Sequence, residues 1–202
     1  MTDLSAAFVA FFAVIDPIGT VPVFVAVTAS LGEAEKRAIA FRATVVSAMI
    51  LIFFVLAGEL ILDAIAVPLS AFQIAGGIVL FLFALSMIFG ESKPEQEVKL
   101  VASGHEKAIF PLAVPSIASP GAMLAAVMQT ENESYTIWEQ AQVAVVMLSV
   151  LLLAMLLMLA SSYVHRLIGS SGASVISRVM GLILASVAVT SVLSGIEAYF
   201  SL

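Results

Sequence analysis

Asp16-Pro17-Ile18-Gly19-Thr20-Val21-Pro22 lies in the middle of an apolar segment that runs from about residue 4 to about residue 29. Proline has no backbone N–H, and its ring clashes with the preceding turn of a helix. Two prolines with a glycine between them therefore predict a helix that is broken near its middle. Lipid offers no hydrogen-bond partners for the backbone N–H and C=O groups that a broken helix leaves unpaired. The break is therefore expected to face protein or a water-filled cavity.

The composition of the chain is that of an integral membrane protein. Of its 202 residues, 62% are hydrophobic and 11% are charged, whereas about 25% of the residues of a soluble domain are charged. A soluble globule is therefore excluded. The net charge of −6 without a basic patch argues against nucleic-acid binding, and the absence of cysteine excludes disulfides and thiol chemistry.

Six apolar segments are long enough to cross a bilayer, which requires about 20 residues each. They lie at roughly 4–29, 38–62, 69–90, 108–128, 140–163 and 178–199. Ser30-x-x-Glu33 and Thr136-x-x-Glu139 have capping-box spacing and predict helix starts before the second and fifth segments. We predict an all-α integral membrane protein with six transmembrane helices in a single domain, residues 1–202, with a polar loop at about 91–107.

The basic residues predict the orientation of the chain. All eight lie within or beside the loops that connect spans 1 and 2, 3 and 4, or 5 and 6; they are Lys36, Arg37, Arg42, Lys93, Lys99, Lys107, Arg166 and Arg178. The side that is rich in Lys and Arg stays cytoplasmic. Both termini are therefore expected on the outer face of the cell (inner) membrane.

A second pair of prolines lies in the fourth segment, within Pro115-Ser116-Ile117-Ala118-Ser119-Pro120-Gly121. Spans 3 and 6 are also similar, since Gly76-Gly77 and Gly181 occupy matching places. The proline offset is 98 residues (17 to 115) and the glycine offset is 104 (77 to 181). We interpret residues 4–90 and 108–202 as two inverted three-helix repeats, with helices 1 and 4 broken at the proline pairs.

Paired interrupted spans are the sequence pattern of a transporter whose binding site lies at the bilayer midplane. The residues expected to form the breaks are Pro17, Gly19, Pro22, Pro115, Pro120 and Gly121. Gly76, Gly77 and Gly181 are expected to let helices approach closely. The alternative is that the prolines only kink helices for packing.

Asp16 is the ionisable residue that lies deep in a predicted span. A charge at that depth costs at least about 2.5–3.5 kcal/mol on insertion scales, so it is expected to be protonated, paired, hydrated or functional. A functional carboxylate could hold a substrate ammonium, bind a coupling cation or carry a proton. The alternative is a local role, in which it caps the half-helix that starts after Pro17.

Other polar residues are candidates for the same site. We predict substrate contacts from Asp16, Thr20, Gln73, Ser116, Ser119 and Thr190. Each hydroxyl or amide alone is more typical of contacts between membrane helices. Half-helix N-termini attract anionic groups. A site with one carboxylate and such helix ends would therefore suit a zwitterionic solute, which carries both an ammonium and a carboxylate.

The sequence predicts no enzyme, cofactor or metal site. It contains no G-x-x-x-x-G-K-[ST] motif for ATP. His105 and His165 do not form the H-E-x-x-H pattern of a zinc protease. One deep aspartate cannot form an aspartyl dyad.

Four stretches resemble the MarC family of membrane proteins and run in family order over nearly the whole chain. They are Ile15-Asp16-Pro17-Ile18-Gly19-Thr20-Val21-Pro22-Val23-Phe24, Ala71-Phe72-Gln73-Ile74-Ala75-Gly76-Gly77, Pro111-Leu112-Ala113-Val114-Pro115 with Ser119-Pro120-Gly121, and Ile176-Ser177-Arg178-Val179-Met180-Gly181-Leu182. The resemblance implies a superfamily of six-span exporters built from inverted three-helix repeats. A related class is described as transporting small neutral amino acids such as glycine and alanine.

The chain departs from the usual pattern of that family at five positions: Thr20 for Asn, Gln73 for Arg, Ser119 for Gly, Thr190 for Gln and Ser194 for Asp or Asn. The missing arginine would have been a carboxylate partner for a substrate or for Asp16. The identity of the substrate therefore does not carry over from the resemblance.

The sequence thus predicts a secondary transporter or exporter of small polar solutes, with small neutral amino acids as the first candidates. The expected partners of this transporter are the solute, the lipid bilayer and a coupling cation or proton. The sequence is also compatible with a homo-oligomer. The alternatives are a transporter of another solute, such as a drug or metabolite, and a non-transporting membrane scaffold or assembly factor.

Overall fold

The computed structural model describes residues 3–89, 109–131 and 135–200. Within these ranges the chain is helical and contains no β-strand. The helices are α1 (Leu4–Ile15), α2 (Pro17–Val27), α3 (Glu33–Ala64), α4 (Leu69–Phe89), α5 (Ile109–Ile117, π-helical), α6 (Pro120–Met128), α7 (Ile137–Leu159) and α8 (Ser161–Phe200).

Five segments of the described chain are long and apolar enough to cross a membrane, which confirms the prediction of a multi-span helical protein. They are α1 with α2 (Leu4–Val27), α3, α4, α7 and the Ser174–Phe200 part of α8. A sixth span results if α5 and α6 are counted as one, since they meet at a bend of 49°.

The last helix differs from its prediction. Residues 164–177 were expected to connect spans 5 and 6 as a loop, but α8 is continuous from Ser161 to Phe200. Its 40 residues make a helix of about 60 Å, twice the hydrocarbon thickness of about 30 Å. Residues 161–177 contain no proline, so nothing in their sequence obliges the helix to begin later.

The first span lies at the centre of the bundle. In Leu4–Val27, 61% of an apolar 18-residue stretch is buried, whereas 22–33% of the corresponding stretch is buried in each of the other four spans. Those outer helices carry large exposed apolar side chains such as Phe53, Leu56 and Leu152, which suit contact with lipid. The polar residues near the junction of α1 and α2, Asp16 and Thr20, are consequently enclosed by protein.

α4 and α8 form the most extensive helix pair of the described chain. Small residues line the contact at seven-residue spacing: Ser70, Gly77 and Ala84 on α4, and Gly195, Ala188 and Gly181 on α8. A Cβ on Gly77 would lie 3.0 Å from the Ala188 carbonyl oxygen, and one on Gly181 would lie 3.1 Å from that of Ala84. A seven-residue repeat keeps such a seam on one face, and the reversed order of partners makes the pair antiparallel.

The starts of α3 and α7 are stabilised in similar ways. At α7 the predicted capping box is present, with Thr136 Oγ1 accepting from the Glu139 N–H and Glu139 Oε2 accepting from the Thr136 N–H at 3.0 Å. At α3 the expected box at Ser30 is displaced by two residues. Gly32 is the N-cap there, and its N–H donates to Glu35 Oε2 at 3.0 Å.

Candidate functional site

Asp16 joins two helices at the centre of the first span. α1 ends at Ile15 and α2 begins at Pro17, and Asp16 between them has left-handed torsions (φ 49°, ψ 66°). Aspartate tolerates this region better than most residues, and a residue before proline disfavours the α region. The Asp16 N–H donates to the Phe12 carbonyl at 3.0 Å, and its own carbonyl accepts from the Thr20 N–H at 3.1 Å.

The Asp16 carboxylate caps α2. Its Oδ1 accepts from the Gly19 N–H at 3.0 Å, and the residue is only 1% exposed. A Cβ at Gly19 would collide with the same carboxylate, so the cap requires glycine there. The local capping role that was the alternative for Asp16 is thus present in the structure.

Ser119 has the matching role at the start of α6. Its Oγ accepts from the Ala122 N–H at 3.1 Å and donates to the Val14 carbonyl at 2.9 Å. Val14 lies in the last turn of α1, where carbonyls have no partner within the helix. One buried hydroxyl therefore caps α6 and ties it to α1. The amides of Gly19 and Ala122, in the half-helix starts expected to bind an anion, are occupied by these caps.

Thr20 and Ser116 connect the first span to the fourth. Their hydroxyl oxygens lie 3.2 Å apart across α2 and α5, and both residues are fully buried. Thr20 Oγ1 is also 3.1 Å from the Asp16 carbonyl oxygen. A hydroxyl has one proton to donate, so when Thr20 donates to Asp16, Ser116 donates to Thr20. The structure therefore brings together four of the six predicted contact residues, Asp16, Thr20, Ser116 and Ser119.

Ser47 belongs to the same buried region, although it was not predicted. Its Oγ is positioned to donate to the Ala43 carbonyl at 2.9 Å and to the Ala113 carbonyl at 3.3 Å, which links α3 to α5. Ser47 is fully buried and lies near the middle of the long helix α3. A hydroxyl at mid-span in an apolar helix was the signal in the sequence that could have identified it.

Gln73 does not join this group. It is in the second turn of α4, near the end of the bundle, where it lines a cavity with Leu69, Ser70 and Glu131 among others. Asp16, in contrast, lies halfway along its span. The prediction placed Gln73 at the midplane because the depth of a residue cannot be read accurately before the helix start is known.

Thr190 is also elsewhere. It is exposed on α8, and its hydroxyl donates to the Ser186 carbonyl at 3.0 Å. The face of α8 that packs on α4 carries Gly181 and Ala188 instead. Two residues along a helix turn the side chain by about 200°, so Thr190 points away from the seam to which Ala188 belongs.

The predicted helix-breaking residues have different environments. Pro17 and Pro120 are the first residues of α2 and α6, where a missing N–H costs no helical hydrogen bond. Pro22 lies inside α2, which continues through it, because a membrane helix can lose one hydrogen bond without ending.

Pro115 lies in α5, in which Phe110 and Val114 have extended torsions. A Cβ on Gly121 would lie 2.5 Å from Leu80 Cδ1, so Gly121 permits close packing against α4.

The buried group offers one carboxylate and four hydroxyls that bind through hydrogen bonds and charge. Among the described residues there is no cluster of three or more His, Asp or Glu side chains that could hold a metal ion. Each hydroxyl already bonds to a carbonyl or to another hydroxyl. A solute entering here would have to replace these bonds with its own.

Comparisons with known proteins agree over nearly the whole chain. Residues 1–200 match the model of a family described as MarC family integral membrane protein. A UPF0056 membrane protein of Methanocaldococcus jannaschii is 35% identical over 194 residues, which cover 95% of this chain and 94% of that one. The UPF0056 inner membrane protein YhgN of Escherichia coli is 31% identical over 202 residues, or 98% of each chain. No solved structure matches.

Proposed function

Because the chain belongs to the MarC family of integral membrane proteins, we propose that it is a secondary transporter of a small polar solute. It is a multi-pass membrane protein, and its Escherichia coli relative is named an inner membrane protein. In this proposal the chain is not an enzyme, both termini face outward, and small neutral amino acids are the first candidate solutes.

The observation that carries the proposal is the buried polar group around Asp16. One carboxylate and several hydroxyls lie within 0–1% exposure where α1 meets α2 and α5 meets α6, and Asp16 is the one residue of a charged type among the buried side chains of the described residues. Ionisable residues inside membrane spans are costly and are usually functional. Their position between two interrupted spans is that of a transporter's central site.

Matching local structures support two inverted repeats. An offset of 103 residues (16 to 119) relates Asp16-Pro17 to Ser119-Pro120, and in both pairs the first residue caps the helix that the proline begins. An offset of 104 residues (32 to 136) relates the starts of α3 and α7. The glycine offset is also 104. Pro17 thus corresponds to Pro120 and not to Pro115, and the difference between the proline and glycine offsets falls from six residues (98 against 104) to one (103 against 104).

Contacts between α4 and α8 support the same relation. The offset of 104 carries Gly77 to Gly181 and Ala84 to Ala188, and the structure pairs Gly77 with Ala188 and Gly181 with Ala84. Exchanging the repeats therefore exchanges these two contacts. Reciprocal contacts between antiparallel helices are those expected around a two-fold axis in the membrane plane.

Two buried hydrogen bonds connect the proposed repeats at the site. Thr20 bonds to Ser116, and Ser119 bonds to the Val14 carbonyl. Movement of one repeat against the other, as alternating access requires, must break and remake such bonds. In the proposal a solute ammonium binds Asp16 while its other polar atoms bond to the hydroxyls that these bonds release.

A scaffold or assembly factor is the second candidate function. It is favoured by the capping roles of Asp16 and Ser119, each of which satisfies a helix start in the closed core. For a scaffold these side chains stabilise the bundle and no solute passes.

Uptake of labelled alanine and glycine into proteoliposomes tests the proposal. The informative variant is Asp16→Asn, because asparagine retains the cap and the left-handed torsions but removes the charge. Asp63→Asn, on an exposed residue at the end of α3, is the matched control. We expect the Asp16 variant to fold normally and to lose or change its flux, while the control transports like the wild type.

The outcomes separate the candidate functions. Wild-type flux no greater than that of empty liposomes, under proton, sodium and solute gradients, rules out these amino acids. Flux of a drug or metabolite from a tested panel would then identify another solute. Equal flux in the wild type and the Asp16 variant would remove the site from transport. A loss of stability alone would favour the scaffold.

A further inference from the structure

A second polar feature lies at the end of the bundle where α4 begins and where α6 and α8 end. It is a cavity of about 240 Å³ lined by Leu69, Ser70, Gln73, Met128, Glu131 and Ala198. The polar side chains among them supply a hydroxyl, an amide and a carboxylate, and all three are partly buried. The cavity is open to one side, so a solute can reach these groups without rearrangement of the core.

The charges around this cavity are negative. Glu131 contributes a full charge, and the C-terminal ends of α6 and α8 contribute about half a charge each, whereas the start of α4 contributes about half a charge of the opposite sign. Negative charge therefore dominates the cavity. A hydroxyl oxygen and an amide oxygen, from Ser70 and Gln73, can accept hydrogen bonds from a bound cation.

The surrounding end of the bundle strengthens this field. Asp63 at the end of α3, Glu139 at the start of α7 and Glu197 near the end of α8 lie at the same end. The described helix ends that meet here contain no Lys or Arg. Charge of one sign around a cleft raises the local concentration of ions of the opposite sign.

We propose that this cavity binds the ammonium group of a small solute, with Glu131 as its charge partner and with Gln73 and Ser70 as its hydrogen-bond partners. The volume suits a molecule smaller than a drug, since drug-sized ligands occupy about 300–1,000 Å³. The site is distinct from the buried group around Asp16. Its existence does not require that the chain transports anything.

The absence of cysteine from the chain allows a direct test on the purified, detergent-solubilised protein. Ser70→Cys places a single thiol in the cavity. Its rates of modification are measured with a trimethylammonium thiosulfonate and with a sulfonate thiosulfonate of similar size. The ratio of the two rates is then compared among three proteins that all carry Ser70→Cys. The first retains Glu131, the second also carries Glu131→Gln, and the third is the matched control that also carries Asp63→Asn.

We expect the cation-to-anion rate ratio to fall by roughly threefold or more in Glu131→Gln and to change little in Asp63→Asn. Methylammonium chloride should slow the cationic reagent more than sodium chloride at equal ionic strength, and this difference should vanish without the Glu131 charge. An unchanged ratio in Glu131→Gln, or equal protection by both salts, would overturn the proposal.

A comparison that leaves Glu131 intact covers the case in which Glu131→Gln does not fold. Ser5→Cys lies on an exposed residue at the start of α1, away from the cavity lining. The cationic preference and the methylammonium protection should be greater at Ser70→Cys than at Ser5→Cys. Equal values at both positions would show a general surface potential and contradict a binding site.

Discussion

At the scale of single residues, Asp16 and Gly19 act as a pair. The Asp16 carboxylate occupies the space into which a side chain at Gly19 would project, and it accepts the Gly19 N–H. A buried carboxylate has few other ways to be satisfied at mid-span. The glycine is therefore required by the carboxylate and not by its own backbone torsions.

Gly19→Ala should consequently destabilise the protein, by about 1–3 kcal/mol from overpacking. The measurement is the free energy of unfolding in mild detergent, followed by loss of helicity. Gly32→Ala is the control, because a Cβ there meets only Glu35 Oε2 at 3.7 Å. Equal effects at both glycines would contradict the contact between Gly19 and the carboxylate.

At the scale of elements, α5 is held by side chains from its neighbours. Its π-helical course includes extended residues and therefore lacks some of the regular bonds of an α-helix. Ser47 reaches the Ala113 carbonyl from α3, and Thr20 reaches Ser116 from α2. These two tertiary hydrogen bonds help to fix the position of α5.

A double-mutant cycle on Thr20→Val and Ser116→Ala measures one of these bonds. Each single change removes one member of this hydrogen bond and should cost about 0.5–1.5 kcal/mol. The double change should cost less than the sum, with a coupling of about 0.5–1.5 kcal/mol. Additive costs in unfolding experiments would show that the two hydroxyls do not bond in the folded protein.

The seam between α4 and α8 gives a second prediction for elements. Gly77→Ala and Gly181→Ala each place a Cβ about 3 Å from a carbonyl oxygen of the facing helix, and each should cost about 1–3 kcal/mol. Reciprocal packing requires the two costs to be similar.

Gly76→Ala is the control for the seam, because the atoms that its Cβ would meet belong to the flexible side chain of Leu124. It should cost less than either seam variant in the same unfolding measurement. A large cost for one seam glycine and none for the other would contradict reciprocal packing.

At the scale of the whole molecule, charge divides the bundle into two ends. Lys36, Arg37 and Arg42 lie along the first turns of α3, whereas Asp63, at the other end of the same helix, belongs to the acidic end that holds the Glu131 cavity. The rule that Lys and Arg remain cytoplasmic predicts that the acidic end is the outer one. Cations and ammonium groups are then concentrated on the outside.

Single-cysteine labelling in intact cells tests this orientation. A membrane-impermeant thiol reagent should label Ser5→Cys, at the acidic end, but should label Arg37→Cys only after the cells are permeabilised. Both residues are exposed, so burial does not explain a difference. Labelling of Arg37→Cys in intact cells would reverse the predicted orientation.

Sequence and structure agree best where the signal is local. Apolar runs and the Thr136 capping box predicted helices and one helix start, because both depend on residues within a few positions of each other. Gln73 and Thr190 lie away from the group around Asp16, since the position of each depends on a helix start or on rotation about a helix axis that neighbouring residues do not specify. The expected loop before span 6 was wrong because polar composition alone does not end a helix.

The sequence by itself determined that this is a helical multi-span membrane protein of the MarC family, because apolar length and motif order are properties of the chain in one dimension. Only the tertiary structure decided which polar groups meet. Thr20 bonds to Ser116 and Ser119 bonds to Val14, and these partners are about a hundred residues apart in the chain. Their meeting depends on how two interrupted spans pack at the centre of the bundle, which no local pattern encodes.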